Sequence, residues 1–300
     1  MKYPTPDRFR TALEDRLRAR ARGRQLPVAR LRKEVVFDRL LARLLVVAPD
    51  RWILKGGLAL DYRLGERART TKDMDVGRQD TVEASTRDLM AAAQLDGGDY
   101  FVYTVEATDA LAALEEGAAV RYRVQADLAG RLFERAVIDV GFDAPFVHPV
   151  EYVRGPDLLT FADLAPVAVP TIPLAYHVAE KVHAYSRQYG PGGRPSTRVK
   201  DLIDLALIAA TSLLTYGAVR AALEWTFTRR ATHPLPLSLP VPPSGWAASY
   251  ATIAREIGLD TAMAVGYSRA ALCLDPVLGG TGQSALTWQP DAGLWTPPHE

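Results

Sequence analysis

Two aspartates and one glycine turn are the residues of this chain best suited to chemistry. Asp73 and Asp75 stand two positions apart, after a basic stretch over residues 67–72, and Lys55-Gly56-Gly57 follows a short apolar run. Residues i and i+2 of a strand point to the same face, so the two carboxylates would form one cluster of hard oxygen atoms. Such a cluster is suited to binding Mg²⁺.

The glycine pair predicts a phosphate-binding turn. Gly56 and Gly57 open a helical pattern over Leu58–Leu64, and a glycine turn at a helix start exposes backbone N–H groups to a phosphate. A phosphate cradle upstream of metal-binding carboxylates favours nucleotidyl transfer. The simpler interpretations are that the glycines form a tight turn, that Lys55 is a solvated surface residue, and that the aspartates serve turn chemistry at a strand end.

A third carboxylate, Asp139, follows the apolar residues of a predicted strand over Leu132–Phe142. That strand returns from an alternating strand over Val120–Leu128, so the pair predicts a hairpin. If the strands carrying Asp75 and Asp139 are neighbours, three carboxylates meet. Transfer with two metal ions needs such a cluster, in which the third acid takes a proton or completes the ligand shell.

A second charged cluster falls in the helical second half of the chain. Lys181 lies in a predicted helix over Leu174–Gln188, and Asp201 and Asp204 share one face of a predicted helix over Val199–Leu214. Asp201 could pair with Lys181. The set is either a surface ion-pair group of little energetic value or a means for Lys181 to reach a triphosphate. A zinc site is not expected, because ligand spacing for one is missing.

The remaining pattern predicts an α+β protein in two domains. Residues 6–49 read as helices, with Asp38, Arg39 and Arg43 on the outer face. The further predicted elements are strands at Trp52–Leu54, Asp73–Val76 and Phe101–Glu106, and helices at Thr81–Leu95, Ala218–Phe227, Ala247–Ile257 and Thr261–Leu274.

Prolines and glycines predict the connections. Three prolines over Phe161–Pro173 indicate an irregular link between a first domain, residues 1–165, and a helical second domain, residues 166–300. Tyr189–Pro195 and Pro234–Pro243 read as loops. The last segment, residues 276–300, either packs through its tryptophans or stays loose.

Composition excludes several protein classes. The 300 residues carry a net charge of +1 and one cysteine, Cys273, which rules out an internal disulfide framework. Without an apolar run of about 18 residues or an apolar signal core, a cytoplasmic protein that does not bind membranes is expected. Residues 1–36 hold eleven Lys and Arg against four acids. These arginines predict either contact with nucleic-acid phosphates or a solvated helix face with ion pairs.

Five motifs in this order resemble the AbiEii/AbiGii toxin family of nucleotidyltransferases, which includes mycobacterial tRNA-modifying toxins. They are Leu54–Leu60 (LKGGLAL), Arg69–Asp75 (RTTKDMD), Ile138–Val140 (IDV), Ala179–Ala184 (AEKVHA) and Arg198–Leu205 (RVKDLIDL). One departure is Leu58, which stands where the wider fold often has a serine or threonine hydroxyl. Backbone N–H groups would then bind the phosphate alone.

The resemblance implies a fold, an activity and a set of site residues. It implies a small mixed-sheet, polymerase-beta-like core with helices before it and a helical domain after it. It also implies an Mg²⁺-dependent (or Mn²⁺-dependent) bacterial toxin with an antitoxin partner, which transfers NMP from an NTP to the 3′ end of tRNA and blocks translation. The alternatives are transfer to a protein hydroxyl and a silent nucleotide- or partner-binding module.

The implied residues are Asp73 and Asp75 as metal ligands, Asp139 as the third acid, Gly56 and Gly57 as the phosphate loop, and Lys55, Lys181 and Asp201 as further members of the site.

Overall fold

The computed structural model describes residues 1–24, 26–108, 119–142, 150–188 and 198–297. Two compact units divide the chain. The first unit comprises Met1–Gly65 and Thr70–Ile172, and the second comprises Glu66–Arg69 and the described residues of Pro173–Glu300. Glu66–Arg69 thus belongs to the second unit, although it stands in the sequence between two segments of the first unit and just before Asp73 and Asp75.

A mixed seven-stranded sheet organises the first unit. Its strands run in the order β3-β4-β5-β2-β1-β7-β6, and β5 pairs with β2 in parallel while β4 pairs with β5 in antiparallel. The strands are β1 Ile53–Lys55, β2 Asp73–Gly77, β3 Phe101–Ala107, β4 Ala119–Leu128, β5 Arg131–Gly141, β6 Glu151–Arg154 and β7 Ala168–Thr171. A mixed sheet with helices confirms the predicted α+β class.

Four helices accompany this sheet within the described part of the first unit. Each helix buries apolar residues that recur at helical spacing along the sequence. They are α1 Pro6–Arg24, α2 Val28–Val47, α3 Gly56–Leu64 and α4 Val82–Gln94. Thr81 caps α4, because its hydroxyl accepts from the Ala84 backbone N–H at 3.2 Å. The predicted β4–β5 hairpin turns at Ala129 and Gly130, which both have positive φ.

One face of the sheet is apolar and the other is polar. On β5, Ala136, Ile138 and Val140 are buried in the core with residues of α2, whereas Val137 and Asp139 alternate with them on the less buried face. The same alternation holds along β2 and β4. The face opposite the core, called here the open face, therefore carries the polar side chains of the central strands.

The prediction that Asp38, Arg39 and Arg43 face outward was wrong. All three are buried, and Arg43 donates to both oxygens of Asp99 at 2.7 and 2.6 Å. Arg39 pairs with Asp38 at 2.6 Å. These charges can be buried because each has an ionic partner.

The predicted connection over Phe161–Pro173 ends where the chain passes from the first unit to the second, but the segment is not irregular throughout. Residues of this segment form β7, which pairs with the unpredicted strand β6 and lies inside the sheet. Pro170 is tolerated because β7 pairs with β1 only through Leu54 and Thr171, so no donor is needed at the proline on that side.

The second unit is mainly helical. Its described helices are α5 Leu174–Ser186, α6 Val199–Thr211, α7 Tyr216–Arg230, α8 Ala247–Glu256 and α9 Met263–Leu278, and its strands are β8 Leu214–Thr215, β9 Thr287–Gln289 and β10 Leu294–Thr296. Pro234–Pro243 is without a helix or strand, as predicted. The predicted loop Tyr189–Pro195 falls outside the described residues.

The last segment packs rather than staying loose, as far as residue 297. Trp288 on β9 is fully buried, and its indole N–H donates to the Ala209 carbonyl on α6 at 2.8 Å. Trp295 on β10 lies against Trp288 and donates to the Cys273 carbonyl at 2.9 Å. Across the described residues, no helix is long and apolar enough to cross a membrane.

Candidate active site

The two aspartates of β2 lie side by side on the open face. Asp73 and Asp75 are partly buried and alternate with the fully buried Met74 and Val76, which fix the register of the strand. A shift by one residue would turn both carboxylates into the core, so burial of the two apolar side chains keeps the carboxylates outward.

The third carboxylate is brought beside them. Asp139 on β5 pairs directly with Asp75 across the parallel β2–β5 ladder, so the two side chains share the open face of neighbouring strands. The sequence analysis expected the three carboxylates to meet if their two strands were neighbours. The structure pairs β2 with β5 and so places Asp73, Asp75 and Asp139 together.

Arg121 is a site residue that sequence reasoning missed. It lies opposite Asp139 across the β4–β5 pair and donates to both carboxylate oxygens, at 2.8 and 2.7 Å. The hydrogen bonds that Arg121 donates to Asp139, the charge of that carboxylate, and then the charges of Asp73 and Asp75 raise the pKa of Arg121. The alternation of Val120–Leu128 could have placed Arg121 on the polar face, but its partner depends on the hairpin register.

Gly56 approaches Asp75 more closely than any other residue type could. It has a φ of +64°, and a Cβ at this position would lie 1.9 Å from Asp75 Oδ2. Glycine is therefore required here both by backbone conformation and by space. The contact ties the start of α3 to the carboxylate cluster.

The start of α3 can bind an anion. The side chain of the N-cap residue Lys55 makes no capping hydrogen bond to this nine-residue helix, whose first residues are Gly56 and Gly57. The backbone N–H groups at a helix start need partners, and a phosphate is a suitable one. Leu58, which replaces the more usual hydroxyl residue, is fully buried in the core. Lys55 pairs with Asp75 across β1 and β2, so it belongs to the same face of the sheet.

The carboxylates fit a divalent metal ion in part. Within the described ranges, no three side chains of His, Cys, Asp or Glu are arranged as ligands of one ion. Asp73 and Asp75 nevertheless offer carboxylate oxygens from one strand face, beside a helix start suited to phosphate. Mg²⁺ in nucleotide enzymes is commonly held by one or two carboxylates together with substrate phosphates, and this donor set matches that pattern.

Lys181 and Asp201 meet in the second unit. The Lys181 ammonium lies 3.3 Å from Asp201 Oδ1 and 2.6 Å from Asp204 Oδ2, and all three residues are buried. Arg69 completes the group, because its guanidinium donates to both Asp204 oxygens at 2.9 and 2.8 Å. The alternative of an exposed surface ion-pair set therefore does not hold.

Charge in this cluster is fixed by mutual pairing. Burial alone would lower the pKa of Lys181, but Asp204 and Asp201 outweigh it and raise that pKa. Burial alone would raise the pKa of Asp204, but Lys181 and Arg69 lower it. Lys181 is thus held as a cation, which suits it to contact an anion and not to accept a proton.

Many N-terminal arginines make hydrogen bonds, ion pairs or ring contacts within the first unit. Arg10 donates to three carbonyls of the β4–β5 hairpin, and Arg30 pairs with Glu34 and Asp61. Arg16 stacks on the Phe161 ring. These contacts favour the structural interpretation of this segment over a role in gripping nucleic acid.

Comparison with solved structures identifies proteins of similar fold. One solved structure with a similar fold is MenT4, a nucleotidyltransferase toxin from Mycobacterium tuberculosis H37Rv, with 20% identity, 90% coverage of this chain, 99% coverage of that chain and a TM-score of 0.56. This likeness shows the fold. JHP933 from Helicobacter pylori matches with 13% identity, 83% and 92% coverage, and a TM-score of 0.45.

Among curated proteins, none matches the chain significantly. The model of one protein family, described as the nucleotidyl transferase AbiEii toxin of type IV toxin–antitoxin systems, matches residues 39–266. That range includes every candidate site residue, and it covers most of the chain. The chain therefore belongs to the AbiEii family of nucleotidyltransferase toxins.

Proposed function

We propose that this toxin transfers NMP from an NTP to the 3′-terminal hydroxyl of tRNA and so blocks translation. One observation carries the proposal: three carboxylates lie together on the adjacent strands β2 and β5, and Gly56 at the start of α3 lies against one of them, Asp75. The acceptor oxygen attacks the α-phosphorus, the bond from that phosphorus to the pyrophosphate oxygen breaks, and the hydroxyl proton passes to a base.

The start of α3 holds the triphosphate in this scheme. Backbone N–H groups following Gly56 and Gly57 face the phosphate oxygens, and Lys55 adds a positive charge on the same sheet face. The family resemblance assigns Lys181 to the triphosphate as a cation and Asp201 to the residues that orient it. The positive charge of Lys181, which Asp204 and Asp201 stabilise by raising its pKa, supports this role.

Asp73 and Asp75 are the residues that would hold Mg²⁺ or Mn²⁺. When bound, such an ion lowers the pKa of the attacking hydroxyl and neutralises charge on the phosphates. The carboxylate oxygens of the two aspartates supply hard ligands from one face of β2.

Asp139 takes the proton of the acceptor hydroxyl. Arg121 holds both oxygens of this carboxylate and so fixes its orientation next to Asp75. Arg121 is therefore a positioning residue, since it acts on the reaction through Asp139. Proton acceptance requires one of the two hydrogen bonds from Arg121 to lengthen or to be shared.

The family implies an antitoxin as a partner and an NTP as a substrate. The cytoplasm is the compartment that supplies both NTP and tRNA, and we assign the toxin to it on that ground.

The experiment is transfer of label from each α-labelled NTP to total tRNA in the presence of Mg²⁺. Wild-type protein is expected to label RNA from one NTP, and Asp75→Ala is expected to lose the label while its thermal unfolding stays unchanged. The matched control is Asp15→Ala, which removes a carboxylate whose side chain is 69% exposed and should keep full activity.

Label that survives RNase and is destroyed by protease would replace RNA with a protein acceptor. NTP binding without any turnover would leave a silent binding module. Full activity in Asp75→Ala would overturn the assignment of the site.

A further inference from the structure

A groove of about 580 Å³ lies over β3, β4 and β5 of the first unit. Its volume falls within the range of roughly 300–1,000 Å³ that is usual for ligand sites. The polar side chains that line it are Lys33, Thr104, Glu106, Arg123, Gln125 and Arg135. No step of the proposed reaction uses these residues.

Strand register places the groove next to the carboxylates. Val137 lines the groove and pairs directly with Asp73 across the β2–β5 ladder. Neighbouring strands are about 4.8 Å apart, so the groove begins one strand away from the first aspartate. Asp139 lies two residues further along the strand from Val137 and faces the same side.

Positive charge dominates the groove. Lys33, Arg123 and Arg135 face a single acid, Glu106. Arg123 is exposed and has no ion pair with any described residue, although Glu106 stands across from it on β3. Arg135 is also exposed; among the described residues its side chain makes one hydrogen bond, at 3.4 Å to Gln125 Oε1, and no ion pair. These two guanidiniums are available to an anion.

The groove and the triphosphate cradle lie on opposite flanks of β2. Gly56 follows β1, which borders β2 on one side, whereas the groove extends from β5, which borders β2 on the other. In an in-line displacement the attacking and leaving oxygens lie on opposite sides of the phosphorus. Pyrophosphate that leaves on the Gly56 side requires an acceptor that arrives from the side of the groove.

We infer that this groove binds the sugar–phosphate backbone of a single-stranded RNA acceptor, just 5′ of the hydroxyl that receives the nucleotide. Arg123 and Arg135 contact consecutive phosphates, and the Thr104 hydroxyl offers a hydrogen bond to a ribose hydroxyl. The Gln125 amide is already bonded to Asp127 and Arg135 and forms the floor between the two arginines. A protein acceptor would bring no row of phosphates to this surface. The inference rests on the proposed function, which it extends by naming where the acceptor lies.

The test compares two charge-matched double variants. Arg123→Gln/Arg135→Gln removes two charges from the groove, and Arg8→Gln/Arg87→Gln removes two from exposed positions of α1 and α4. Binding of a fluorescein-labelled single-stranded RNA of about a dozen nucleotides is measured by anisotropy over a range of salt concentrations, without NTP. Steady-state transfer then gives KM for RNA and for NTP.

The groove variant is expected to bind the RNA at least about tenfold more weakly, and its slope of log K against log salt should be smaller by about 1.4, because each single-strand phosphate contact contributes about 0.7. Its KM for RNA rises while its KM for NTP stays unchanged. Arg123→Lys/Arg135→Lys should restore most of the salt slope, since lysine keeps the charge. The Arg8/Arg87 variant should behave as wild type.

The outcomes distinguish failure of the RNA-groove inference from failure of the proposed function. Equal RNA affinity and equal RNA KM in the groove variant and the wild type would overturn the inference and leave the proposed function standing. Absence of label on RNA in the wild type would refute the proposed function, and the NTP-free binding data would still decide whether the groove holds RNA. Loss of affinity in both double variants alike would also overturn the inference, because binding would then follow net charge.

Discussion

Replacing Gly56 by alanine should inactivate the toxin without unfolding it. The added Cβ would lie 1.9 Å from Asp75 Oδ2, and real Cβ atoms essentially never approach another atom within 3.0 Å. The carboxylate, the helix start or both must therefore move by about 1 Å. A misplacement of this size at a reacting centre costs roughly 100-fold in rate, which corresponds to about 2.7 kcal/mol of transition-state stabilisation.

Gly130→Ala is the control that separates this clash from backbone strain. Gly130 has a φ of +66°, close to the +64° of Gly56, but nothing lies within 4 Å of the Cβ that alanine would add. A left-handed conformation costs about 1–2 kcal/mol for a residue with a Cβ, so both variants should lose that much free energy of unfolding. Only the Gly56 variant should also lose activity.

The assay is kcat/KM for NMP incorporation, measured beside urea unfolding of the wild type and both variants. If Gly56→Ala keeps activity within about threefold of the wild type, the close approach to Asp75 has no functional weight and the reasoning is refuted. If Gly130→Ala loses as much activity as Gly56→Ala, strain alone explains the loss.

Two further predictions concern stability. Arg43→Met should lower the free energy of unfolding, measured with urea, by about 3–5 kcal/mol, because Asp99 would stay buried without its partner. The control Arg18→Met removes a half-exposed ion pair and should change the free energy of unfolding by less than about 1 kcal/mol. Because the folded-state pKa of Asp204 is lowered, its ionised form stabilises the fold above its unfolded pKa of about 3.9, and this stability is lost as the pH falls further. Urea midpoints between about pH 7 and about pH 3 should therefore fall more steeply for the wild type than for Asp204→Asn; parallel curves would contradict this.

The local pattern of the sequence predicted most elements of the fold. Alternation located β4 and β5 as a hairpin, and the helical pattern of Thr81–Leu95 located α4. The same rules failed at β7, because the sequence does not show that Pro170 lies where one edge of the strand needs no donor. The boundaries of α3 were predicted two residues short, since Gly56 and Gly57 were taken as a turn before the helix.

Partners that are distant in sequence were the main obstacle to predicting the site. The spacing of Asp73 and Asp75 indicates one shared face, because this relation is local. The clamp of Arg121 on Asp139 depends on the hairpin register, and the pairing of Arg69 with Asp204 joins residues 135 positions apart. Likewise, the arginines of α1 and α2 could not be assigned to structure or to nucleic acid until their carbonyl and carboxylate partners were known.

The buried Trp288 has a genetic consequence. Its strand pairs with β8, and its indole holds the Ala209 carbonyl of α6, the helix that carries Asp201 and Asp204. A premature stop codon shortly before this tryptophan would remove part of the core of the second unit while sparing every motif of the family. In a selection for cells that escape this toxin, nonsense and frameshift mutations should therefore be recovered up to about codon 288, far downstream of the last active-site codon.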